Sequence, residues 1–127
     1  MKEVVRTETA PAPFQGAPYS QAIKANGFVF VAGQVGIKPD NPTPVGDGIR
    51  EQTEQTLANL RAILEAAGSS MDKLVKTTVF LTDLSDFQGM NEVYAKHVGD
   101  QPPARSTVEV AKLPSGALVE IEAIALA

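Results

Sequence analysis

Two charged residues near the C-terminal end offer the most chemistry in this chain. They are Arg105, within Pro102-Pro103-Ala104-Arg105-Ser106-Thr107-Val108-Glu109-Val110, and Glu120, within Leu118-Val119-Glu120-Ile121-Glu122. The two prolines end whatever precedes them, because proline has no N–H with which to continue a helix or an inner strand. Alternation follows, with Arg105, Thr107 and Glu109 pointing one way and Ser106, Val108 and Val110 the other. A guanidinium is always charged and presents a rigid fork of donors, which suits it to clamping a carboxylate. Glu120 and Glu122 share one side of a segment otherwise made of Leu, Val, Ile and Ala. An unpaired carboxylate is costly to bury, so it shifts its pKa or finds a partner. An arginine and a glutamate on neighbouring C-terminal strands would make a carboxylate-binding and proton-transfer pair. Spacing alone leaves plainer roles open: a structural ion pair for Arg105, solvent or ion pairs for the two glutamates.

Other chemistries find little support. The chain has no cysteine, which removes thiolate nucleophiles, disulfides and Cys-ligated metals. Its single histidine, His97, rules out a two-histidine ribonuclease mechanism, and no pattern around it suggests a Ser-His-Asp arrangement. It reads as a helix residue favoured near a C-terminal dipole. No His or carboxylate set has ligand spacing, so no metal is expected. Gly33-Gln34-Val35-Gly36 follows a strand without opening a helix, and reads as a tight bend that could turn a backbone N–H toward a ligand. A net charge of −4, with 11 Lys+Arg scattered among 15 Asp+Glu, argues against a nucleic-acid surface. Nothing approaches the length of a membrane span, and Met1–Arg6 lacks the apolar core of a signal peptide, so a cytoplasmic location is expected.

The elements that must carry these residues follow from periodicity. At 127 residues a single domain over 1–127 is expected. Lys2–Arg6 could be a short strand, and Thr9–Pro18, with three prolines, a loop. Ala22–Ala25 and Phe28–Gly33 flank Asn26-Gly27, the pair suited to a type I′ hairpin turn. Lys38–Gly48 reads as a surface loop. Ile49–Ala67 is predicted helical, with Ile49, Thr53, Thr56/Leu57, Leu60 and Ile63/Leu64 on one face, Asp47 as cap and Gly68 as stop. Leu74–Leu81 reads as a buried strand, and Asp83 or Ser85 as the cap of a second helix through Val98. Ala104–Val110 and Leu118–Leu126 are the last strands. The order predicts an α+β subunit with two helices on one face of a mixed sheet. Strands Phe28–Ala32, Leu74–Leu81 and Leu118–Leu126 are apolar at both parities, so the sheet's uncovered face points to self-association.

Several ordered blocks together resemble the RidA family, also called YjgF or L-PSP. They are Gly16-Ala17-Pro18-Tyr19-Ser20-Gln21-Ala22, Gly33-Gln34, Val75–Asp83, Asn91-Glu92-Val93-Tyr94, Pro103–Val108 and Val119–Ala125. The resemblance implies a chorismate-mutase-like fold of about six strands and two helices, assembled as a homotrimer around a central barrel. It implies active sites in clefts between subunits, and hydrolysis of reactive 2-imino or enamino acids, such as 2-iminobutanoate and 2-iminopropanoate, to 2-oxo acids and ammonia without a cofactor. By position, it assigns Arg105 to the substrate carboxylate, Glu120 to water activation, and Tyr19, Gly33, Asn91 and the backbone at Thr107 to the pocket wall. Thr107 stands where many members carry cysteine, and Ala32 where many have serine. A regulator that binds a 2-oxo acid without turning it over is the alternative. The endoribonuclease label of some relatives is disfavoured by the acidic chain and lone His97.

Overall fold

A computed structural model describes residues 1–127. The strands are β1 (Glu3–Val5), β2 (Ala22–Ala25), β3 (Phe28–Val35), β4 (Ile37–Lys38), β5 (Asn41–Pro44), β6 (Leu74–Leu81), β7 (Ala104–Glu109) and β8 (Val119–Leu126), with helices α1 (Ile49–Ala66) and α2 (Phe87–Val98). Six strands form one mixed sheet in the order β1-β2-β3-β8-β6-β7. Only β6 and β7 run parallel, joined by α2 as a crossover. The fold is thus the α+β arrangement expected from the sequence.

Alternation decides which face of each strand meets the helices. Along β8, Val119, Ile121, Ala123 and Ala125 are buried, with Glu120, Glu122, Ile124 and Leu126 on the other side. The buried set joins Val29, Val31, Val79 and Leu81 from the sheet and Leu57, Leu60, Ile63, Leu64, Met90 and Tyr94 from the helices in one core. The opposite face keeps Phe30, Val108 and Leu126 more than 40% exposed, an apolar surface with no cover from this chain.

Local signals mostly act as expected. Asn26 and Gly27 take φ of 52° and 83°, the two left-handed positions of the β2–β3 turn. Gly68 and Gly99, at φ of 82° and 71°, follow the ends of α1 and α2. Three expectations change. Lys38–Gly48 is not all loop, because β4 and β5 pair as a small second sheet. The N-cap of α1 is Gly48 rather than Asp47, and no side chain caps it. Asp83 accepts from the Ser85 N–H to cap a 3-10 turn, Leu84–Asp86, that leads into α2. The inward face of α1 is also more polar than its apolar periodicity suggests: Gln52, Thr53, Thr56 and Asn59 are all buried.

Candidate functional site

Arg105 lies opposite Thr77 of β6 in the parallel register. Thr77 is buried and its Oγ1 shares a hydrogen bond of 2.6 Å with the Tyr94 hydroxyl of α2, so Arg105 also projects toward the helix side. Phe87, Asn91 and Tyr94, spaced four and three apart on α2, share one helical face and meet it there. The guanidinium carbon lies 4.8 Å from the Tyr94 ring centre and 5.5 Å from that of Phe87, within cation–π range. Nη1 donates to Asn91 Oδ1 at 2.7 Å. The chain's ion pairs are Arg50–Glu92 and His97–Glu54, so Arg105 is not spent on a structural salt bridge. It is an oriented cation with most of its five donors free. Burial raises the Tyr94 phenol above its ordinary 10.0, against the opposing Thr77 bond and Arg105 charge, and keeps this platform neutral. Thr107 follows on the same face of β7, its Oγ1 buried without a partner.

Glu120 belongs to a different neighbourhood. It sits opposite Val35 of β3 and Phe80 of β6, on the face away from the helices. A register shift between Val31 and Gln34 carries Gly33 under it. The carboxylate lies so close over Gly33 that a Cβ there would fall 2.1 Å from Oε2 and 2.8 Å from Cδ. With Phe14, Tyr19, Gln34 and Pro114 these two line a cleft of about 50 Å³. Tyr19 Oη accepts from the Phe14 N–H at 2.7 Å, which leaves its own proton free to donate. Burial first, and then the Glu122 charge, push the Glu120 carboxyl above its ordinary 4.5. The group is tuned toward proton exchange nearer neutrality. Ala32 does not line this cleft.

Arg105 and Glu120 do not meet within this chain. Strand β6 separates β7 from β8, so Arg105 and Glu120 are not on neighbouring strands as the sequence suggested. They also face opposite sides of the sheet, and by strand spacing their backbones are roughly 14 Å apart. Asn91 and Thr107 belong with Arg105, whereas Tyr19 and Gly33 belong with Glu120. The cleft over Gly33 has room for a water of roughly 30 Å³, but is far below the roughly 300–1,000 Å³ of small-molecule sites.

Buried glutamines and an asparagine frame the Glu120 half, and sequence reading missed them. Gln21 is 3% exposed; its Nε2 donates to the carbonyls of Thr7, Ala10 and Pro11, and its Oε1 accepts from the Thr7 N–H. It ties down the proline-rich segment that supplies Phe14 and Tyr19 to the cleft. Asn59 Nδ2 donates to the carbonyls of Val35 and Ile37. A polar residue recurring on an apolar helix stripe was the available signal. His97 contacts neither half; its Nε2 lies 2.5 Å from Glu54 Oε1 and ties α2 to α1.

Fold and site define an α+β domain with an oriented arginine on the helix side of its sheet and a carboxyl raised by burial on the other. Residues 7–127 match the family described as Endoribonuclease L-PSP. Reactive Intermediate Deaminase A of Arabidopsis thaliana is 51% identical over 98% of this chain and 65% of its own length. The 2-iminobutanoate/2-iminopropanoate deaminase of Mus musculus is 43% identical over 99% of this chain and 92% of its own. Among solved structures, Escherichia coli TdcF with bound serine superposes with a TM-score of 0.89 at 38% identity, covering 98% of both chains. This chain belongs to the RidA (YjgF/L-PSP) family.

Proposed function

We propose that this protein hydrolyses reactive 2-imino acids and their enamine forms, 2-iminobutanoate and 2-iminopropanoate among them, to 2-oxo acids and ammonia. In this reading a homotrimer brings the Arg105 half of one subunit against the Glu120 half of the next. The supporting observation is the division itself: an oriented arginine without an acid partner and a raised carboxyl lie on opposite faces of one sheet. The uncovered apolar sheet face, including Phe30 and Val108, supplies a surface on which copies would pack. The mouse and Arabidopsis relatives carry deaminase names, and the TdcF structure holds an amino acid.

The chemistry is short. The free donors of Arg105 take the substrate carboxylate in a charge-assisted fork and hold C2 in place. Protonated imine carbon is already electrophilic. Glu120 removes a proton from water as its oxygen bonds to C2, giving a carbinolamine. The proton passes to nitrogen; the C–N bond then breaks to expel ammonia as C=O forms and the carbinol O–H proton returns to Glu120, and ammonia takes up that proton and leaves as ammonium with the 2-oxo acid. Tyr19, with its hydroxyl proton free, stands beside Glu120 to donate to the incoming oxygen.

Subunit complementation tests both parts. Arg105→Ala and Glu120→Gln homo-oligomers are each expected to lose imine hydrolysis. Unfolding and refolding them together regenerates intact sites at about one quarter of the interfaces of a randomly mixed trimer. Mixing would restore nothing if both residues served a site within one subunit. A Glu120→Gln variant that binds 2-oxobutanoate normally but does not turn over imines separates the enzyme from a metabolite-binding regulator. Wild-type hydrolysis by that variant would refute the role of Glu120.

A further inference from the structure

Gln52, in the first turns of α1, is 3% exposed and uses both ends of its amide. Its Oε1 accepts from the Leu118 N–H at 2.8 Å, and its Nε2 donates to the Gly46 carbonyl at 2.7 Å. The backbone of the same residue carries two further contacts. Its carbonyl accepts from Thr56 Oγ1 at 2.7 Å, and Gly36 packs so closely on it that a Cβ would fall 2.6 Å from that oxygen. Two of the segments gathered here lead to the Glu120 cleft. Leu118 lies two residues before Glu120, and its carbonyl is held in turn by the Thr82 N–H. Gly36 lies three residues after Gly33, beside Val35, the register partner of Glu120. A buried polar side chain is costly unless satisfied, and an apolar residue could fill this space without that cost.

We propose that Gln52 is a positioning residue for Glu120: by holding the Leu118 N–H and the Gly46 carbonyl from inside the fold, it fixes where β8 enters the sheet and so keeps the Glu120 carboxylate over Gly33. Side chains that act through such a contact can change rate without touching substrate, since a displacement of about 1 Å costs about 100-fold. The substrate carboxylate, held by Arg105 in the other half-site, is unaffected. Loss of Gln52 therefore acts on the proton-transfer step and not on binding.

The inference rests on the hydrolytic reading only for its kinetic readout, and an NMR titration of the Glu120 side-chain carboxyl stands apart from it. Gln52→Met keeps the side-chain length and removes both bonds. Glu120 is expected to titrate closer to its ordinary value of 4.5 in this variant as the carboxyl reaches water. The imine kcat falls about 10- to 100-fold with KM within twofold of wild type. Ile63→Val, a cavity elsewhere on α1, lowers the melting temperature while leaving titration and kcat unchanged. Relative to wild type at the same pH, Gln52→Glu, whose protonated acid offers the same donor and acceptor, restores kcat below its own titration and loses it above; it decides the matter where Gln52→Met does not fold. An unshifted Glu120 titration in folded Gln52→Met, the same shift in Ile63→Val, or a Gln52→Glu kcat indifferent to its own ionisation overturns the proposal. Wild-type protein that turns over no imine removes the hydrolytic reading, while the titration still decides the role of Gln52.

Discussion

Alanine at Gly33 separates the position of Glu120 from the stability of the fold. Gly33 is not in the left-handed region, so its backbone accepts an L side chain. Its three nearest clashes are all with Glu120: Oε2 at 2.1 Å, Cδ at 2.8 Å and Cγ at 3.1 Å. A flexible carboxylate can swing away at little cost, and the fold loses nothing else. The glycine-to-alanine change at a tolerated position stabilises by about 0.4–1 kcal/mol through the unfolded chain. To reach ordinary contact the carboxylate must retreat by more than ~1 Å, and a misplacement of that size costs about 100-fold, near 2.7 kcal/mol of barrier. The expected result is an unchanged or higher melting temperature, an unchanged KM and a kcat down about 100-fold. Imines generated in situ by a dehydratase, with 2-oxo acid formation followed over time, supply the assay. A folded Gly33→Ala protein with kcat within threefold of wild type would show that the seat of the carboxylate does not matter.

Arg105→Lys keeps the charge but loses the fork and the stacking on Tyr94 and Phe87, so KM is expected to rise about 10- to 100-fold with assembly unchanged by gel filtration; an unaltered KM would remove the anchor. Folding raises the Glu120 carboxyl above 4.5, so the stability it contributes is complete below about pH 4.5 and is lost as pH climbs through the raised value. In an Arg105→Ala background, which removes the guanidinium that the proposed assembly would bring to Glu120, adding Glu120→Gln should therefore raise the melting temperature at pH 7 and have no effect near pH 4; a constant difference across pH contradicts this. Thr53 is fully buried on α1 and its hydroxyl has no partner, so isosteric Thr53→Val is expected to stabilise by about 0.5–1 kcal/mol in denaturant titration, and a loss of stability would mean that the hydroxyl is satisfied.

Much of the fold was legible in short-range pattern. The Asn26-Gly27 turn, the glycine stops after α1 and α2 and the alternation along β8 are local, and steric limits on φ or the two-residue repeat of a strand settle them. Glu120 stood out for the same kind of reason, as a charge in an apolar strand, and Arg105 as a guanidinium just after a proline pair. Gln52 and Asn59 were hidden on a helix whose apolar stripe reads through them, because their partners are backbone atoms of distant loops.

Read alone, the chain shows which residues carry charge, which of them share a side of the same strand and where the turns fall. Those properties follow from bonding within a few residues. Only the tertiary structure decided that β6 lies between β7 and β8 and that Arg105 and Glu120 therefore sit on opposite faces, two strands apart. Strand order is a matter of which long-range pairing buries the most apolar surface, and β7 reaches its parallel partner by way of α2 instead of turning back beside β8. That crossover carries Arg105 onto the helix side, against Tyr94, and away from Glu120.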